Sequence, residues 1–150
     1  MNRKEDVDAF LKQNTIALVG ASRDKWAFSN VVLRELRERG YRVFPVNPNA
    51  EKIGEEKCYP NLDAIPEKVG GALFLTPPKA TEGAVREAVG SGVGHFWIQR
   101  GAESKAALDF CRENSSKVVS GECIMMFAEP VKSFHAFHRW VWKILGKLPR

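Results

Sequence analysis

Cysteine is scarce in this chain: Cys58, Cys111 and Cys123 are the whole supply among 150 residues, and no CxxC pair occurs. An odd, dispersed set excludes a disulfide framework and a thiolate zinc site, so reduced thiols in a reducing compartment are expected. Long apolar runs are missing as well, none approaching the roughly 20 residues a transmembrane helix needs. The opening stretch Met1–Asp8 is too charged for a signal peptide, and a cytoplasmic protein is expected. Histidine is equally rare, with three residues. His135 and His138 stand three apart, but no carboxylate or cysteine joins them at matching spacing, so no metal site is expected. No nucleophile, base and orienting group form a credible triad, and no catalytic residue is assigned. The basic and aromatic stripe of a nucleic-acid reader is also lacking.

What is present is an ordinary globular composition, 44% hydrophobic and 27% charged, in a length that fits one domain. A domain over residues 1–130 is expected. The tail 131–150 carries Phe134, Phe137, Trp140, Val141, Ile144 and Leu145 at helical spacing among lysines and arginines. It reads as an amphipathic helix packed on the domain, on a second copy or on a partner protein, with a membrane-surface role as the alternative. The net charge of +5, from 23 Lys and Arg against 18 Asp and Glu, favours anionic partners.

Strands and helices alternate along the chain. Thr15–Val19 is a short β-branched run stopped by Gly20, and Phe28, Val31, Val32 and Leu36 then recur at helical spacing until Gly40. Tyr41–Val46 reads as a strand broken by Asn47-Pro48-Asn49. Gly71–Leu75, His95–Ile98 and Lys117–Ser120 continue the series, with helices expected over Thr81–Val89 and Glu103–Glu113 and a leading helix over Asp6–Gln13. Apolar strands in that rhythm predict an α/β fold: a Rossmann-like, doubly wound parallel sheet of about five strands in a single domain.

Such sheets bind ligands outside the carboxyl ends of their strands, where strand order reverses. Four loops fall there: Gly20-Ala21-Ser22-Arg23-Asp24-Lys25, Asn47-Pro48-Asn49, Thr76-Pro77-Pro78 and Gln99-Arg100-Gly101. The first opens a helix, whose free amides and positive dipole end suit a phosphate. It lacks the G-x-G-x-x-G of a dinucleotide site, and Asn47 stands where an acidic ribose ligand would be expected. There is no GxxxxGK[ST] either, which disfavours a P-loop hydrolase.

The segments T-I-A-L-V-G-A-S (15–22), V-F-P-V-N-P (43–48), E-K-I-G-E-E-K-C-Y-P-N-L (51–62), T-P-P (76–78) and F-W-I-Q-R-G (96–101) together resemble the CoA-binding domain family. That family includes stand-alone bacterial proteins and the N-terminal domain of the succinyl-CoA synthetase α subunit. The resemblance implies coenzyme A, free or acylated, across the carboxyl edge. Its phosphates are implied at Ser22, Arg23, Asp24 and Lys25, with Gly20 and Ala21 allowing close approach. The nucleotide portion is implied near Asn47, Pro48, Asn49 and Lys52, and the rest beside Thr76, Pro77, Ile98, Gln99 and Arg100. Trp26 either stacks on the adenine or covers the sheet edge, and Gln99 either meets the ligand or ties two loops together. Cys123, where related sequences often have a cysteine, is either a buried thiol or one able to form a mixed disulfide with CoA. The ligase domain with its phosphorylated histidine is absent from this sequence. A non-catalytic binding module is therefore the leading expectation, with a nicotinamide oxidoreductase or one subunit of an acyl-CoA ligase as the alternative.

Overall fold

The computed structural model describes residues 2–128. The expected tail helix, with His135 and His138, lies outside them. Helix α1 spans Lys4–Leu11, strand β1 Thr15–Val19, α2 Phe28–Glu38 and β2 Arg42–Val46. A hairpin follows, β3 at Lys52–Ile53 and β4 at Glu56–Lys57, then β5 Gly71–Phe74, α3 Pro78–Gly90, β6 His95–Gln99, α4 Lys105–Glu113 and β7 Lys117–Glu122. A single 3₁₀ turn at Ile124–Met126 ends the described chain.

Five strands form one parallel sheet in the order β2-β1-β5-β6-β7. The chain winds outward from β1 to β2, returns, and winds the other way from β5 to β7, so strand order reverses between β1 and β5. The alternation of side chains along each strand builds two cores. Ile16, Leu18, Leu73, Trp97 and Val119 pack with Val7 and Phe10 of α1 and with Val32, Leu33 and Leu36 of α2. Ala17, Val19, Ala72, Phe74, Phe96 and Ile98 face the other way, onto Val85 and Ala88 of α3 and Ala107 and Cys111 of α4. A sheet covered on both faces explains why its strands read as nearly continuous apolar runs.

Some boundaries differ from the expected ones for identifiable reasons. Helix α3 starts at Pro78, three residues before Thr81, because proline fits the first helical turn, where its missing N–H would be unpaired anyway. Helix α4 starts at Lys105 because Ser104 caps it, its Oγ accepting from Ala107 N at 3.1 Å. Strand β7 runs on to Glu122 across a register shift at Ile98/Gln99.

Both edges of the sheet are closed locally. At β7, the Asn2 side chain donates from Nδ2 to Ser120 O at 2.8 Å and accepts at Oδ1 from Ser120 N at 2.9 Å, as a neighbouring peptide group would. At β2, Tyr59 bridges Val46, with Tyr59 N donating to Pro45 O and Asn47 N to Tyr59 O.

Candidate functional site

At the reversal point the loops after β1, β5 and β6 enclose a cleft of about 360 Å³. Gly20 and Ser22 line one wall, Thr76 and Pro77 a second, and Gln99, Arg100 and Gly101 a third. The cleft needs glycine at position 20, where φ is +97° and a Cβ would lie 2.7 Å from Leu75 O. Only glycine allows the β1 and β5 loops to approach so closely.

Helix α2 points its N-terminus into this cleft. Ala27, the N-cap residue, offers no side-chain cap, so the first-turn amides and the positive end of the helix dipole face the opening. Ser29, in the same turn, is 6% exposed, and its Oγ has no hydrogen-bond partner. A buried hydroxyl left unpaired costs about 1–3 kcal/mol, and the cleft is where this one can find a partner.

The loop before α2 is braced from within. Asp24 N donates to Ser22 Oγ at 3.1 Å, Trp26 N donates to Asp24 Oδ1 at 3.0 Å, and Asn30 Nδ2 reaches back to Ser22 O and Asp24 O at 2.9 and 2.7 Å. Ser22 accepts in this network, so its own proton is left for a ligand. On the opposite wall, Thr81 Oγ1 lies 2.6 Å from Ala102 O and 2.7 Å from Thr76 Oγ1. Thr81 has one proton and gives it to the carbonyl, which makes Thr76 the donor of the shared bond. The Thr76 oxygen therefore presents lone pairs to the cleft.

The remaining expected residues fall into three groups. Gln99 lies in the cleft wall but is 4% exposed, and its Oε1 accepts from Ile124 N at 3.2 Å, tying the β6 loop to the segment after β7. Asn47 ties loops in the same way, donating to Ala21 O at 2.8 Å and accepting from Asn49 N at 2.8 Å. Ala21 is buried under this bond, while Pro48 and Asn49 are exposed beyond the cleft, as is Lys52. Ile98 is fully buried in the α3/α4 core, outside the cleft lining. Arg23 and Lys25 face a second recess on the far side of α2's first turn. Trp26 is 81% exposed, so it covers nothing.

Outside the expected set, Ser29 lines the cleft with Ala27, Phe28, Leu75 and Ala102, while Asn30 and Thr81 brace its walls from behind. Ser29 and Asn30 follow Phe28 at the helix start, where small polar residues commonly serve the helix end. That is the one signal that could have drawn attention to them. Beside the cleft, burial raises the Glu122 carboxyl above the ordinary glutamate value, against a weaker opposing pull from Asn2 and Arg100. Among the described residues no group of three or more His, Cys, Asp or Glu could hold a metal ion, and no helix is long and apolar enough to cross a membrane.

Residues 14–129 match the sequence profile of the CoA binding domain. The chain belongs to that family. As a CoA binding domain it is 35% identical over 81 residues to the acetate–CoA ligase [ADP-forming] II of Archaeoglobus fulgidus, covering 53% of this chain and 12% of that protein. It spans 12–28% of the length of the first three ligase chains it matches. It is 23% identical over 123 residues to YneT of Bacillus subtilis, covering 82% of this chain and 91% of that one. Among solved structures, a Pyrococcus horikoshii OT3 protein is 34% identical with a TM-score of 0.78, covering 85% of this CoA binding domain and 90% of its counterpart.

Proposed function

We propose that the cleft holds coenzyme A, free or acylated, as a binding module that does not transform it. The observation that carries this reading is the uncapped N-terminus of α2 with the buried, unpartnered Ser29 hydroxyl, both opening on the cleft at the reversal of strand order. Helix amides, Ser22 and Ser29 supply hydrogen-bond donors for the ligand's diphosphate. Thr76 supplies an acceptor for an amide N–H, and the pantetheine arm has two. Arg100 adds positive charge at the far wall.

Titration calorimetry of the reduced protein with CoA, NAD, NADP and ATP tests the reading. Saturable binding is expected for CoA and not for the nicotinamide nucleotides. Ser29→Ala should weaken CoA binding roughly tenfold or more, the usual loss for a hydrogen bond to a charged group. Binding of NADP in place of CoA would instead favour an oxidoreductase. The similarity to much longer acetate–CoA ligases supports a second reading, in which this chain supplies the CoA site of a ligase whose other parts are separate chains. Recovery of a ligase-like partner on affinity capture, with CoA-dependent acyl transfer in the mixture, would distinguish it.

A further inference from the structure

We propose that residues 131–148 form an amphipathic helix that lies on an anionic lipid surface and holds the domain there. The inference does not depend on the CoA reading: the family profile ends at residue 129, and every residue that lines the cleft precedes it. Charge is the first observation. The last 22 residues hold five of the 23 Lys and Arg but one of the 18 Asp and Glu. Residues 1–128 are therefore close to neutral, 18 cations against 17 anions, and +4 of the chain's +5 belongs to the tail.

The spacing of the tail separates its charge from its apolar residues. At about 100° per residue, Phe134, Phe137, Val141, Ile144, Leu145 and Leu148 fall within roughly 100° of arc. Lys132, Arg139, Lys143, Lys147 and Arg150 fall within about 80° on the opposite side. Trp140 and Trp142 stand at the two borders between these faces. An apolar face, a basic face and tryptophan where they meet is the pattern of a helix lying in a membrane interface, whose indole rings sit at headgroup level.

The four described helices provide the contrast. Each mixes charges of both signs: Lys4 with Glu5 and Asp8 in α1, Arg34 with Glu35 in α2, Arg86 with Glu82 in α3, and Lys105 with Asp109 in α4. Such helices settle charge internally, as the Glu82–Arg86 and Lys105–Asp109 pairs do. From residue 130 on there is no carboxylate side chain to pair with the five cations, and a surface of acidic lipid supplies the missing negative charge. The end of the described chain also suits a tether. Ala128 is fully buried, and Arg39, the C-cap residue of α2, donates from Nη1 to Met125 O at 3.2 Å and to Ala128 O at 3.3 Å. The cleft lies at the other end of α2, about 16 Å away for a helix of 11 residues. A surface that holds the tail need not cover the cleft.

Flotation of the full chain with vesicles of phosphatidylcholine, and of phosphatidylcholine mixed equally with phosphatidylglycerol, reads this directly. The protein should float with the anionic vesicles and not with the neutral ones, and less so as salt is raised. Lys132→Gln, Lys143→Gln and Lys147→Gln combined should weaken the binding roughly a hundredfold. Lys68→Gln, Lys105→Gln and Lys117→Gln combined, which remove the same charge from exposed sites on the domain, should leave it unchanged. Absence of flotation with anionic vesicles would overturn the inference, as would equal flotation with both kinds or an equal loss in the two triple variants. A concentration-dependent dimer in analytical ultracentrifugation, without flotation, would assign the tail to a second copy of the chain instead. Failure to bind CoA would remove the CoA reading and leave this inference standing.

Discussion

Glu122 illustrates how a single side chain can couple stability to pH. Its Oε2 is buried without a partner, and Oε1 has only a long contact, 3.5 Å, with Asn2 Nδ2. Burial holds its folded-state pKa above the ordinary glutamate value. A raised carboxyl favours the protonated form in the fold, so its contribution is fully present below the ordinary range and is lost as pH rises through the folded value. Glu122→Gln, which cannot ionise, should therefore be more stable than the native protein at pH 7. The difference should shrink as pH falls through the glutamate range, and thermal melts at several pH values measure it. The thiols differ by burial in the same way. Burial raises Cys58, and it raises Cys111 to about 11, leaving little thiolate at neutral pH. Cys123 is half-buried, so a thiol reagent applied to the native protein should modify it first, and Cys123→Ser should remove the fast phase. Little of this was legible in the sequence. Gly20 announced a turn by its type, but the proton order from Thr76 through Thr81 to Ala102 O depends on residues that only the folded chain brings together.

Elements were more legible than single residues. The sheet strands could be read because most centre on a short apolar run, and β1, β2 and β5 are closed by Gly20, Asn47-Pro48 and Thr76-Pro77, residues that punctuate the backbone by sterics alone. The β3–β4 hairpin could not, because its strands are two residues each and three of their four residues are charged. The first loop was read correctly as a helix-opening loop, but its bracing by Asn30 was not, since that residue reaches back from within α2. Asn30→Ala should free the loop. The expected result is faster amide hydrogen exchange over residues 22–26 and a several-fold loss of CoA affinity, because the ligand must then order the segment itself. Exchange mass spectrometry and calorimetry on the same variant check the two effects separately. The same placement explains why Gln99 and Asn47, implied as ligand contacts by resemblance, have side chains tied into the scaffold: loops that surround a cleft must also be joined to one another.

For the whole molecule, the direction of winding was legible because right-handed crossovers leave few choices once strands and helices alternate. Edge protection was not. Nothing about Asn2 in the sequence indicates that it pairs with Ser120, which lies 118 positions away. Asn2→Ala should leave the β7 edge without that partner, with a stability loss of about 1–2 kcal/mol and faster exchange of the Ser120 amide. Denaturant titration and exchange measurements would report both. Closed edges have a further consequence. Where an edge is already paired, as Ser120 is by Asn2 and Pro45 by Tyr59, a neighbouring strand finds no free partner, which favours joining the sheet to other modules by a linker over pairing at its edge. Portability of this kind suits a unit whose counterparts occur both as chains of nearly its own length and as a small fraction of much longer ligases.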